Sequence, residues 1–169
     1  MGVVKDLTNF EAVEKIKKLV YDADVCMFTT SLHRLPLSSR PMSTSQVDDQ
    51  GNLWFLSKRS SDKNHEIEAD EKVQLFYASK GNAEYLSVYG DATIIVNRSK
   101  AVELWTSLAK AWFPGGVDDP ELSIIKVTPL DSYYWDTKHN KFVSLLKIAS
   151  AMVTGNANDD DGVEGSITV

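Results

Sequence analysis

A single cysteine, Cys26, in a chain of 169 residues excludes an internal disulfide and a cysteine-rich metal cluster. A buried free thiol is its expected state. No apolar run approaches the ~20 residues of a membrane-spanning helix. Met1 to Asp6 carries no signal-peptide pattern, so a cytoplasmic location is expected. Positive charge is scarce: 18 Lys and Arg stand against 24 Asp and Glu, a formal net charge of −6. That balance argues against a nucleic acid or an anionic membrane as partner, since both reward a basic surface. His33, His65 and His139 lie far apart in polar segments, without the spacing of a metal site. Asp48, Asp49, Asp118, Asp119 and Asp159 to Asp161 are turn and tail carboxylates, so no acid–base pair is read from them. Gly115-Gly116 is a helix stop, not a GxGxxG loop, and there is no internal repeat.

What is present, 43% hydrophobic and 25% charged residues, suits one globular domain with its own core. Its expected extent is 1–155, with 156–169 as an acidic C-terminal tail. Thr8-Asn9-Phe10-Glu11 has the form of a capping box, and Val13, Ile16, Leu19 and Val20 then share a helix face. Val25 to Thr30 is a short β-prone run. Leu37 to Val47 and Asn52 to Ser57 read as a hairpin about the turn Asp48-Asp49-Gln50-Gly51, which would set Arg40 across from the end of the second strand. Ser60 or Ser61 then caps a short exposed helix from Asp62 to Ala69.

Val73 to Ala78 and Tyr85 to Val96 are further strands, the second bent or bulged at Gly90-Asp91. Ser99 to Phe113 has helical spacing, and Trp105 and Trp112 read as its packing residues. Leu122 to Val127 and Ser132 to Trp135 are two strands separated by Thr128-Pro129-Leu130-Asp131. Phe142 to Met152 reads as a last helix, and Ser166 to Val169 could add an edge strand. So many strands with few helices between them give a mainly β (α+β) fold, an antiparallel barrel of six to seven strands with flanking helices.

The chemistry concentrates between Ser38 and Ile67. Arg40 can grip two phosphate oxygens, Lys63 adds a point charge, Ser57 and Ser61 supply hydroxyls, and the first-turn amides of the short helix attract an anion. A basic, serine-rich loop before a helix is also what an ordinary solvated loop looks like.

Arg-Pro-Met at 40–42, Trp-Phe-Leu-Ser at 54–57 after an acidic Gly turn, and Ser-x-Lys-x-x-x-Ile from Ser61 to Ile67 resemble the pyridoxamine-phosphate-oxidase-like FMN-binding split-barrel family, in its bacterial general-stress branch. Trp112 to Pro120, Ile125 to Pro129 and Tyr133 to Asp136 extend the resemblance over roughly Phe10 to Gly155. It implies a split barrel in which Arg40, Lys63, Ser57 and Ser61 bind the phosphate of FMN. Pro41, Met42, Ser43 and the backbone as far as Ser45 would run along the isoalloxazine ring, with Leu56 and Tyr85 also at the flavin. It further implies a homodimer with the cofactor at its interface, where Trp135 reaches the ring from the other subunit; the plain alternative for Trp135 is a core or interface aromatic.

The substrate half of the vitamin B6 oxidases is missing. Ser45 stands where they carry a lysine, their Arg-rich substrate site has no counterpart on the Ser99–Phe113 helix, whose cations are Lys100 and Lys110, and the chain closes in Ser-Ile-Thr-Val. A substrate phosphate would lack its arginine partners, which argues against that activity. The expected function is a flavin-dependent oxidoreductase of unknown substrate in a general-stress context, with no catalytic side chain assigned. The alternatives are a non-catalytic flavin-binding stress module or, further off, a barrel for haem or another flavin nucleotide.

Overall fold

The computed structural model describes residues 3–81, 83–137 and 162–169. Its elements in chain order are β1 (Val3–Val4), β2 (Leu7–Thr8), α1 (Asn9–Ala23), β3 (Val25–Thr30), β4 (Ser38–Ser43), β5 (Gln46–Val47), β6 (Leu53–Lys58), α2 (Asp62–Ala69), β7 (Lys72–Ala78), β8 (Tyr85–Ile95), α3 (Arg98–Leu104), β9 (Leu122–Thr137) and β10 (Gly162–Thr168). The strands form one open sheet in the order β1-β10-β9-β8-β7-β3-β4, with β2 also on β10, β6 on β9 and β5 on β6. β1 and β2 run parallel to β10, and the other pairs are antiparallel. The mainly β split-barrel expectation holds, with a mixed sheet of ten strands rather than six or seven antiparallel ones.

Alternation along the strands builds the main core. Phe28 of β3 and Phe55 of β6 are fully buried and meet edge to face with ring centroids 5.2 Å apart. Ile16, Leu19 and Val20 of α1 join the same core. A second, smaller core forms on the other side of β6 and β9, where Leu104, Phe113, Leu122 and Ile124 meet Trp54, Leu56 and Trp105.

Several local expectations yield to longer-range pairing. The Thr8 side chain caps nothing, because Thr8 pairs with Thr168 in extended conformation and the chain turns into α1 through Asn9 at φ 54°. β4 pairs with β3 instead of β6, so Arg40 lies opposite Phe28. Only Gln46 and Val47 close the hairpin with β6, around a turn in which Asp48 accepts from the amides of Gln50 and Asn52 and Gly51 takes φ +79°.

The Ser99–Phe113 helix is broken. α3 ends at Leu104, Trp105 turns extended to pack near Phe113, and a 3-10 turn over Ser107–Ala111 leaves Trp112 69% exposed. β9 runs unbroken through Pro129, which sits opposite Gly90 where the register shifts and Leu130 is the extra residue. A bulge is where a strand tolerates a residue without an N–H.

Gly162–Thr168, expected within the acidic tail, pairs with β9 on one side and with β1 and β2 on the other. The expected helix at 142–152 and the acidic residues 156–161 lie outside the described residues.

Candidate functional site

α2 has eight residues, too few to be stable alone, and its sequence offers no strong apolar stripe. A buried polar clamp fixes it instead. Asn64 Oδ1 accepts from Ser57 Oγ (2.7 Å), its Nδ2 donates to Ser123 Oγ (2.9 Å), and Ser123 Oγ donates to the Ser57 carbonyl (2.9 Å). Asn64→Ala leaves two buried hydroxyls short of a partner. It is expected to cost about 1–3 kcal/mol in urea-unfolding free energy, whereas an unchanged midpoint would show that the clamp contributes nothing.

The clamp sets the N-terminus of α2 beside β4. Arg40 projects from the core side of β4 and its terminal nitrogens are fully engaged. Nη1 donates to Thr30 Oγ1 (2.6 Å) and the Phe28 carbonyl (3.4 Å), and Nη2 to Ser38 Oγ (2.6 Å) and Glu66 Oε2 (2.8 Å). Glu66 also accepts from Ser38 Oγ (2.8 Å) and Thr30 Oγ1. Burial alone would raise the Glu66 carboxyl, but the hydrogen bonds from Thr30, Ser38 and Arg40 outweigh it and hold its pKa below the usual range.

Lys63 lies three residues before Glu66, hence on the same face of α2. It is half-buried, and no carboxylate pairs with it among the described residues. Burial lowers its pKa first, and the positive charge of Arg40 lowers it further. The amides of Asp62 and Lys63, in the first turn, have no intrahelical acceptor. Arg40, Ser57, Ser61 and Lys63 therefore do come together, through α2 rather than through a β4–β6 hairpin.

The hydroxyls are less free than expected. Ser57 Oγ is engaged by Asn64, and Ser61, which precedes α2, turns its Oγ to the Lys58 carbonyl (2.7 Å) instead of capping the helix. Ser60 bonds Glu121.

The remaining candidates scatter. Met42 packs against the main core, Leu56 belongs to the second core, and Ser45 donates its amide to the Trp54 carbonyl (2.8 Å). Pro41 and Ser43 face outward, opposite Met27 and Val25. Tyr85 and Trp135 face each other across β8 and β9 on that same outer surface. With Phe76 they make an exposed apolar band, at 44% for Met27, 50% for Phe76, 47% for Tyr85 and 42% for Trp135.

Thr30, Ser38, Asn64 and Glu66 complete the site without belonging to the phosphate-binding set expected from the sequence. Glu66 was discoverable as the residue one turn from Lys63, but Asn64 has no such signal, because its partners come from β6 and β9. Cys26 is buried as expected, its thiol pushed up to about 12 chiefly by burial, so it is no nucleophile at neutral pH. Among the described residues no group of His, Cys, Asp and Glu is placed to hold a metal, and no helix is long and apolar enough to cross a membrane.

Protein bli-3 of Neurospora crassa is 25% identical over 128 residues, covering 70% of this chain and 61% of its own length. The chain thus spans less than two thirds of that relative. A general stress protein 26 from Jannaschia sp. CCS1 superposes with TM-score 0.76 at 25% identity, over 94% of this chain and 98% of the other. The general stress FMN/FAD binding protein of Xanthomonas citri shares the fold, with TM-score 0.65 at 21% identity over 76% and 90% of the two chains. Residues 11–159 match the family described as pyridoxamine 5'-phosphate oxidase like, and with the split-barrel fold around them the chain belongs to that family.

Proposed function

We propose that the protein is a cytoplasmic FMN-binding protein of the general-stress type, working as a flavin-dependent oxidoreductase on a substrate other than a vitamin B6 phosphate. The observation that carries the flavin reading is Lys63: a half-buried cation beside Arg40, paired with no carboxylate among the described residues, at a helix start where the amides of Asp62 and Lys63 have no intrahelical acceptor. Such a donor set fits a phosphate monoester. The names of two fold relatives, an FMN/FAD binding protein and an FMN binding protein, point to the same ligand. Lys63, the first-turn amides and Arg40 would hold the phosphate, with Pro41 to Ser45 beside the ring. Once bound, the flavin would supply hydride or electron transfer that no side chain here offers.

The same reading calls for a second copy of the chain. Pro41 and Trp135 lie on one outer surface but on β4 and β9, four inter-strand steps apart, or roughly 19 Å at ~4.8 Å per step. A ring lying along Pro41 is thus out of reach of its own Trp135, whereas a partner copy seated on the exposed apolar band would bring its Trp135 across. Sedimentation of the purified protein with FMN at low micromolar concentration tests both parts. Flavin absorbance is expected to travel with a dimer, at one FMN per chain. A colourless protein that takes up no FMN, or a monomer that binds it fully, contradicts the proposal.

A further inference from the structure

Each terminal nitrogen of Arg40 has two hydrogens and, in this structure, two acceptors: Phe28 O and Thr30 Oγ1 for Nη1, Ser38 Oγ and Glu66 Oε2 for Nη2. Only Nε–H remains uncommitted. The familiar two-pronged grip of guanidinium on phosphate therefore cannot form beside Glu66, because one prong already holds a carboxylate. Glu66 is no casual neighbour, since Thr30 and Ser38 donate to both its oxygens while accepting from Arg40, which closes a four-residue ring. In charge, Arg40 and Glu66 cancel, which leaves Lys63 as the cation of the first turn of α2, with Asp62 and Lys58 also in its field.

We propose that Glu66 is a resident counter-anion that limits the affinity of this site for phosphate dianions, and with it the preference for FMN over unphosphorylated riboflavin. This rests on the reading of the site as the seat of the flavin phosphate. A dianion that settles between Lys63 and Arg40 feels the fixed negative charge of Glu66 within one helical turn, so removal of that charge favours the dianion and leaves the neutral isoalloxazine and ribityl contacts as they were. The arrangement keeps the site from filling with any small phosphate, because a ligand must add ring contacts to a deliberately weakened charge interaction.

The test compares wild type with Glu66→Gln, which keeps the carbonyl acceptor and the size, and with Glu66→Ala as a second variant, using quenching of flavin fluorescence. In Glu66→Gln the Kd for FMN is expected to fall about tenfold, the scale of one unit charge near a dianion at a partly solvated site. The Kd for riboflavin is expected to stay unchanged, and inorganic phosphate should compete at lower concentration. An FMN Kd that is unchanged or higher in both variants, while Lys63→Ala still weakens FMN binding, overturns the proposal and makes Glu66 a positioning residue. If Lys63→Ala leaves FMN binding intact, the flavin-phosphate reading itself falls. Glu66 is then judged by inorganic phosphate alone: a larger phosphate-induced rise in Tm for Glu66→Gln than for wild type sustains the counter-anion role, and an equal or smaller rise ends it.

Discussion

Gly90→Ala is expected to lower the unfolding free energy by about 3 kcal/mol, at the upper end of what overpacking a rigid site costs. A Cβ at this position would overlap the Thr128 carbonyl oxygen, and would lie 3.0 Å from the Thr128 carbonyl carbon and 3.2 Å from Pro129 Cα. All three are backbone atoms, so no rotamer can relieve the contact. The backbones approach this closely because the β8–β9 register shifts at Tyr89/Gly90 to absorb Leu130. Alanine must push the two strands apart at the point where β9 passes from pairing with β6 to pairing with β10. Gly81→Ala serves as the control, since a Cβ there meets nothing within 4 Å. Urea-unfolding midpoints of the two variants decide the matter, and a Gly90→Ala protein within about 0.5 kcal/mol of wild type, the range of an ordinary surface substitution, contradicts the packing argument.

Where the chain settles its own geometry, the sequence was a good guide. The Asp48–Gly51 turn forms as read, because an Asp side chain bonding amides two and four residues on and a glycine at positive φ are both local facts. α1, α2 and most strands also sit close to their expected bounds, although α1 begins without its capping box and α2 is held by the Asn64 clamp rather than by its own sequence. Strand partners were harder, since Ser38–Ser43 pairs as readily with a strand before it as with one after it. The buried alternation of Cys26 and Phe28 against Met42 and Arg40, not the nearby turn, selects β3.

Pro129 looked like an end to a strand and is accommodated by a bulge, and Trp105 broke a helix whose spacing looked intact. At the candidate site the cationic residues were legible as a set, but their partners were not. Glu66 and Asn64 decide which donors remain uncommitted, and that depends on contacts from β3, β6 and β9 that no spacing along α2 encodes.

Arg40→Ala and Lys63→Ala should each weaken FMN binding by roughly 1.5–3 kcal/mol, the range of a hydrogen bond to a charged group, yet they should part company in stability. Removal of Arg40 leaves the Glu66 carboxylate, which Thr30 and Ser38 hold partly buried, without its cation. Stranding one member of such a pair is costly, and with both side chains about one quarter exposed we expect about 2 kcal/mol rather than the full cost of a dry pair. Lys63 is the reverse case. Its pKa is lowered in the fold by burial and by Arg40, so at neutral pH its protonated form is penalised by folding, and its removal should leave Tm unchanged or raise it slightly. A residue that costs stability where it stands and pairs with no carboxylate among the described residues is what a binding site retains for its ligand. Calorimetric unfolding without flavin, paired with FMN titration, separates the two roles. Two variants that lose equal stability would make Lys63 an ordinary structural lysine, and a double variant with wild-type FMN affinity would move the phosphate seat away from α2.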